Sequence, residues 1–70
     1  MAEVRAEMVA NVWKIVVSEG EVVDEGDTLV ILESMKMEIP VLAEDAGTIT
    51  KLQVKEGDVV QEGDLIAVIE

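Results

Sequence analysis

The 70-residue sequence predicts an all-β fold, arranged as a two-sheet sandwich with pseudo-twofold symmetry. Short runs rich in Val and Ile are separated by turn residues, which is typical of β-strands. No apolar stripe recurs with the 3.6-residue period of a helix. In addition, residues 4–33 are echoed by residues 41–70. Because a chain of this length can bury only one small core, we assign residues 1–70 to one domain.

The predicted strands fall into two matching sets. They cover residues 4–8, 12–17, 22–23, 28–33, 37–43, 48–54, 59–60 and 65–69, with a weak turn expected at residues 10–11. The run 28–33 is almost wholly apolar, which favours a strand covered on both faces. Pro40 has no N–H to donate to a sheet ladder, so residues 37–43 are expected either to form an edge strand or to place Pro40 where its missing N–H faces away from the ladder.

The internal repeat relates the two halves by a shift of 37 positions, so that residues 12–27 return as residues 49–64. Two copies are too few for a solenoid, and each half is therefore expected to supply strands to both sheets of a sandwich. All five glycines lie at predicted turns or strand starts. At such places we expect positive φ or close approach of another backbone.

The composition narrows the classes of function. The chain carries 16 acidic and 5 basic residues, a formal net charge of −11, and contains no Cys or His. Such charge repels nucleic acid and anionic membrane, and it favours either a partner with a basic docking face or simply a soluble surface. The missing Cys and His exclude disulfides and Cys/His metal cages, and they remove the commonest catalytic base.

Two further classes of feature are weak or missing. Acidic side chains in the predicted turns, such as Asp24, Asp27 and Asp64, suggest Ca²⁺ only weakly, because the EF-hand pattern is absent. We therefore predict no metal site. No segment has the apolar core of a signal peptide or the length of a membrane span, and we expect a cytoplasmic protein.

The unusual stretch of the chain is residues 33–38, which joins the apolar runs 28–32 and 39–43 and therefore reads as a β-hairpin turn. Short hairpin turns usually contain Gly, Asn or Asp, because their central residues need positive φ, and this turn has none of them. It presents the amine of Lys36 instead. By strand parity, Met35 and Met37 share one side of the hairpin, and flexible methionines suit partner recognition. The ordinary alternative is a solvated lysine without a role.

The turn resembles the biotin-attachment motif of biotin carboxyl carrier domains, usually Ala/Ser-Met-Lys-Met, and reads here Glu33-Ser34-Met35-Lys36-Met37. The turn glycines and the internal repeat are also typical of biotinyl and lipoyl domains, so the resemblance covers nearly the whole chain. The chain is most similar to the small free-standing biotinylated proteins. The resemblance implies a flattened barrel-sandwich of two four-stranded antiparallel sheets, with the modified lysine on an exposed hairpin.

The resemblance also implies a function. Lys36 would carry covalent biotin, and Ser34, Met35 and Met37 would be read by biotin protein ligase. The protein would be a biotin carboxyl carrier, a non-catalytic subunit that shuttles a carboxyl group between biotin carboxylase and carboxyltransferase active sites. A lipoyl carrier with lipoate on the same lysine is one alternative, although lipoyl domains typically show Asp-Lys at the turn. An unmodified interaction module is the other.

Overall fold

The computed structural model describes all 70 residues and contains eight β-strands. They are β1 (Ala2–Arg5), β2 (Ala10–Ile15), β3 (Val22–Val23), β4 (Thr28–Ser34), β5 (Met37–Leu42), β6 (Gly47–Leu52), β7 (Val59–Val60) and β8 (Leu65–Ile69). They form two four-stranded antiparallel sheets, ordered β1-β8-β6-β3 and β5-β4-β2-β7. This is the predicted barrel-sandwich. Nowhere does the chain form a helix of the length and apolarity that crossing a membrane requires.

The internal repeat is expressed as a pseudo-twofold exchange of the two sheets. The 37-residue shift carries β2 onto β6, β3 onto β7 and β4 onto β8, while β1 corresponds to the later part of β5. Applied to the order β1-β8-β6-β3, this exchange produces β5-β4-β2-β7, which is the order of the second sheet. Each half therefore supplies strands to both sheets, as the sequence predicts.

The core lies between the two sheets and is wholly apolar. All 17 buried residues are hydrophobic, and none of the buried side chains is polar or charged. The most deeply buried residues come in twofold pairs: Leu29 corresponds to Ile66, and Val12 corresponds to Ile49. Burial of aliphatic side chains at about 25 cal/mol per Å² is the main stabilising term in a small fold without disulfides.

The turns repeat as faithfully as the strands. The backbone N–H of Asp24 donates to Asp27 Oδ2 at 2.9 Å, and the N–H of Gln61 donates to Asp64 Oδ2 at the same distance. Four glycines at equivalent turn positions have positive φ, between 91° and 94°. The fifth, Gly47, does not, but a Cβ there would lie 2.6 Å from the carbonyl oxygen of Glu70. Both expected roles of glycine are thus present.

Three strand predictions need correction. The first strand is Ala2–Arg5 rather than 4–8, because Ala6 leaves the ladder to exchange backbone hydrogen bonds with the 63–64 turn. Residues 10–11 are not a turn but the start of β2, where they pair with β7. Tertiary pairing overrides weak local preference at both places. Finally, β4 is not covered on both faces, since Ile31 stays partly exposed between buried Val30 and Leu32.

Candidate functional site

The candidate site is the turn between β4 and β5. The ladder of this hairpin ends at the pair Ser34 and Met37, which leaves Met35 and Lys36 as a two-residue loop. Both have positive φ, 52° at Met35 and 66° at Lys36, and they are the only non-glycine residues of the chain in that region. Positive φ at both central residues is the mark of the type I′ hairpin turn, whose twist matches that of the flanking strands.

Met35 and Lys36 are residue types that disfavour the backbone conformation of this turn. A side chain in the left-handed region costs roughly 1–2 kcal/mol per residue, because Cβ approaches the following carbonyl oxygen. The sequence lacks the Gly, Asn or Asp that would reduce this cost, and the structure adopts the conformation nonetheless. Non-glycine residues held in this way concentrate at functional sites. The strand-parity interpretation of Met35 and Met37 is wrong, because Met35 and Lys36 are turn residues and not strand residues.

The turn presents its side chains to solvent. Met35 is 92% exposed and Met37 is 63% exposed, and Lys36 is also exposed. The single salt bridge of the chain joins Arg5 to Glu3, so Lys36 Nζ has no carboxylate oxygen within 4.0 Å. Its side chain makes no hydrogen bond either. The Lys36 amine is therefore free to react without first breaking an interaction.

The stem below the turn carries a like-charge pair that the sequence interpretation missed. Glu33 on β4 lies directly opposite Glu38 on β5, one position beyond the Ser34–Met37 pair. Like charges at directly opposed positions destabilise a strand pair by a fraction of a kcal/mol, about 0.2–1 in magnitude. The two-residue loop fixes this register, so the pair could have been derived from the turn length. Two negatively charged side chains therefore lie next to Lys36, the one basic residue of the hairpin.

The turn lies outside the concave surfaces of the molecule. The one groove runs between β1 and β5, and its lining includes Leu32, Ile39 and Leu42 of the stem but no residue from 34 to 37. No three acidic side chains gather where they could hold a metal ion. The chemistry on offer is thus a single exposed primary amine at the tip of a paired stem.

These features fit a group attached through an amide. Amide formation needs one unhindered amine, and it removes the positive charge of the lysine. At Lys36 this breaks no salt bridge, because its side chain makes none. The stem is held by six cross-strand pairs, from Thr28–Leu42 to Ser34–Met37, so the attachment point has a defined position. Biotin, joined through its carboxyl group, is compatible with Lys36 on these grounds.

Known proteins are similar to this chain over most of its length. The family model described as "Biotin-requiring enzyme", which covers biotin and lipoyl domains, matches residues 2–69. A relative from Mycobacterium leprae, the biotinylated protein TB7.3 homolog, is 69% identical over 48 residues. That match covers 67% of this chain and 68% of the relative.

Solved structures agree with the sequence matches. The urea carboxylase of Kluyveromyces lactis superimposes with a TM-score of 0.92 and 39% identity, over 99% of this chain and 6% of the carboxylase. A single-chain, multi-domain long-chain acyl-CoA carboxylase superimposes with a TM-score of 0.88 and 33% identity, over 94% of this chain and 7% of that protein. This chain therefore spans only a small part of the length of either carboxylase.

The matches confirm the fold and the resemblance predicted from the sequence. They also confirm biotin as the cofactor of the family concerned. The family model spans nearly the whole chain, from residue 2 to residue 69. This chain is a member of the biotin-requiring enzyme family, within its biotin and lipoyl attachment domains.

Proposed function

We propose that this chain is a biotin carboxyl carrier domain whose biotin is attached to Lys36. The observation that carries the proposal is the Met35–Lys36 turn, in which a free and exposed amine stands on a strained turn at the end of a paired stem. In a biotin-requiring family, such a turn is suited to a covalent attachment point. The chain itself would be non-catalytic, because it supplies a nucleophile but neither a base nor a binding cleft beside it.

The chain's residues would act in the attachment step as follows. Lys36 Nζ attacks the activated carboxyl carbon of biotin in the active site of biotin protein ligase, the activating group leaves, and an amide bond forms. The ligase has to accept the proton that Nζ loses as the amide forms. Met35 and Met37 offer exposed flexible side chains for recognition, and Ser34 closes the ladder beneath them.

The carrier role follows from the position of Lys36. Biotin, when bound, carries a carboxyl group between the active sites of biotin carboxylase and carboxyltransferase. The hairpin holds the attachment point clear of the sandwich, so that partners approach it without unfolding the domain. Tethering raises the effective concentration of the attached group at both sites. The structural neighbours support biotin carboxylase and carboxyltransferase as partners, because in both neighbours the matching segment is part of a carboxylase.

The test is intact mass and peptide mapping after co-expression with a biotin protein ligase. We expect one biotinyl increment, located on Lys36. The Lys36→Arg variant should fold normally and carry no increment, whereas the Lys55→Arg control, at another exposed lysine, should be modified like the parent. Biotin retained on the Lys36→Arg variant would contradict the site. A lipoyl increment on Lys36 would favour the lipoyl carrier instead.

A further inference from the structure

The outer face of the β5-β4-β2-β7 sheet carries an apolar patch beside the hairpin. Ile31 on β4 faces outwards, because its neighbours Val30 and Leu32 are buried, and it pairs with Pro40 on one side and Lys14 on the other. Trp13 is the extra residue of the β2 bulge next to Lys14. Val16 follows the last residue of β2 and donates its backbone N–H to the carbonyl of Leu29 on β4 at 2.9 Å. We call the set Trp13, Val16, Ile31 and Pro40 the hairpin face.

This face is unusually apolar for exposed sheet surface. Trp13, the single aromatic residue of the chain, is 48% exposed, and Val16 is 50% exposed. The Nζ of Lys14 lies 6.0 Å from the centroid of the Trp13 ring, at the limit of a cation–π contact. Large exposed aromatic side chains are typical of protein–protein contacts, where they form central anchors.

The pseudo-twofold symmetry provides an internal comparison for the hairpin face. The 37-residue shift places Trp13 on Thr50, Val16 on Gln53, and Pro40 on Glu3. Trp13 and Thr50 occupy the same place in the fold, because each is the extra residue of a bulge, in β2 against β4 and in β6 against β8. Only Ile31 keeps an apolar equivalent, Val68.

The comparison of the two halves shows which side chains of the hairpin face the fold requires. The same strand pairing is maintained on the other sheet with polar residues at three of the four positions, so the apolar side chains are not required for the architecture. The lysine beside the bulge is also common to both halves, as Lys14 and Lys51, whereas the indole is not. Apolar surface that the fold does not need, on the sheet that carries Lys36, indicates a partner.

The partner is identified by how close it must come to Lys36. A ligase acts on the lysine amine itself, whereas the carboxylase active sites are reached by a longer arm. A stable protein interface covers about 800 Å² on each partner, which a two-residue turn cannot supply. Ile31 lies four residues from Met35, or about 13 Å along a strand. A ligase bound over the turn therefore extends onto a neighbouring face.

The negative charge of the domain indicates what kind of surface this partner presents. The net charge is −11, and the opposed Glu33 and Glu38 lie between the turn and the hairpin face. A complementary surface combines an apolar patch with basic side chains at its border. We propose that the hairpin face docks on such a surface of biotin protein ligase, with Trp13 as the central contact. This inference rests on the proposed biotinylation of Lys36.

Steady-state biotinylation by purified ligase tests the inference. The Trp13→Thr variant introduces the residue that the other half carries at Thr50, so the fold should accept it. Because the lost contact orients the whole domain and not the reacting amine, we expect KM for the domain to rise about tenfold or more while kcat changes less than about twofold. An unchanged KM would overturn the inference.

Matched variants keep the result interpretable. Thr50→Val, at the twofold-related bulge on the opposite sheet, should leave KM unchanged, and an equal rise there would overturn the inference. If thermal unfolding shows that Trp13→Thr is not folded, Val16→Gln takes its place, with an expected rise in KM of about threefold and the same contrary outcome. The parent domain distinguishes the two proposals: if it acquires no biotin, the proposed function fails, whereas normal modification with unaffected variants removes only the docking face.

Discussion

Met35 and Lys36 adopt a backbone conformation that their side chains make costly. Both have positive φ, where Gly, Asn or Asp is usual, and neither is stabilised by burial, since both are exposed. The ladder from Thr28–Leu42 to Ser34–Met37 imposes the conformation on them. The stability of the turn therefore does not explain why Met and Lys stand at these two positions.

The first prediction concerns this strain. Replacing Met35 by Asn should stabilise the domain by about 0.5–1 kcal/mol, because Asn tolerates the left-handed region better than Met. For a chain of this size the melting temperature should rise by about 2–8 °C. Thermal unfolding followed by circular dichroism measures the shift. Met37→Asn is the control: it lies in a strand, where Asn is disfavoured, and it should give no gain. An unchanged or lower melting temperature for Met35→Asn would refute strain at this residue.

At the scale of elements, the acidic turns are structural parts of the sandwich. In each half, an Asp carboxylate closes the turn by accepting the backbone N–H three residues earlier, from Asp24 to Asp27 and from Gln61 to Asp64. The glycine before each Asp donates its own N–H across the sandwich, from Gly26 to the carbonyl of Ala43 and from Gly63 to that of Ala6. These turns connect the two-residue strands β3 and β7 to the long strands that follow.

The second prediction tests the equivalence of these turns. Asp27→Ala and Asp64→Ala should each lower the free energy of unfolding by about 1 kcal/mol, because each removes one turn-closing hydrogen bond. The double variant should lose the sum, since the two sites share no partner. Urea denaturation provides the values. Glu25→Ala, in the same turn but without a side-chain hydrogen bond, should change stability by less than about 0.5 kcal/mol. A loss at only one of the two turns would show that the halves are not energetically equivalent.

At the scale of the whole molecule, charge opposes the compact state. Sixteen acidic residues stand on a domain that measures 31 × 17 × 17 Å, and the one ion pair, Arg5 with Glu3, is exposed on both sides. Stability therefore depends on the apolar core and on the paired backbone. An exposed ion pair contributes about 0–1 kcal/mol, which is too little to offset the repulsion.

The third prediction follows from this balance. Raising NaCl from 20 to 500 mM, which shortens the screening length from roughly 20 to about 4 Å, should raise the melting temperature by several degrees, because repulsion among the carboxylates is screened. Thermal scans at several salt concentrations measure the dependence, and KCl at equal ionic strength is the control for ion-specific effects. A melting temperature that falls with salt would mean that attractive charge pairs outweigh the repulsion.

The fold class, the repeat and the position of the candidate site can be derived from the order of the residues alone. Strand alternation and turn residues are local signals, and the repeat of Gly20 and Gly26 as Gly57 and Gly63 is visible without coordinates. Features that depend on strand register follow from the three-dimensional pairing of the strands. This pairing moved the first strand to Ala2–Arg5, placed Glu33 opposite Glu38, and made Trp13 a bulge residue on the sheet that carries Lys36. It also imposed positive φ on Met35 and Lys36 against their own preference. Pairing between distant strands outweighs local propensity at these positions, and so local patterns could not predict them.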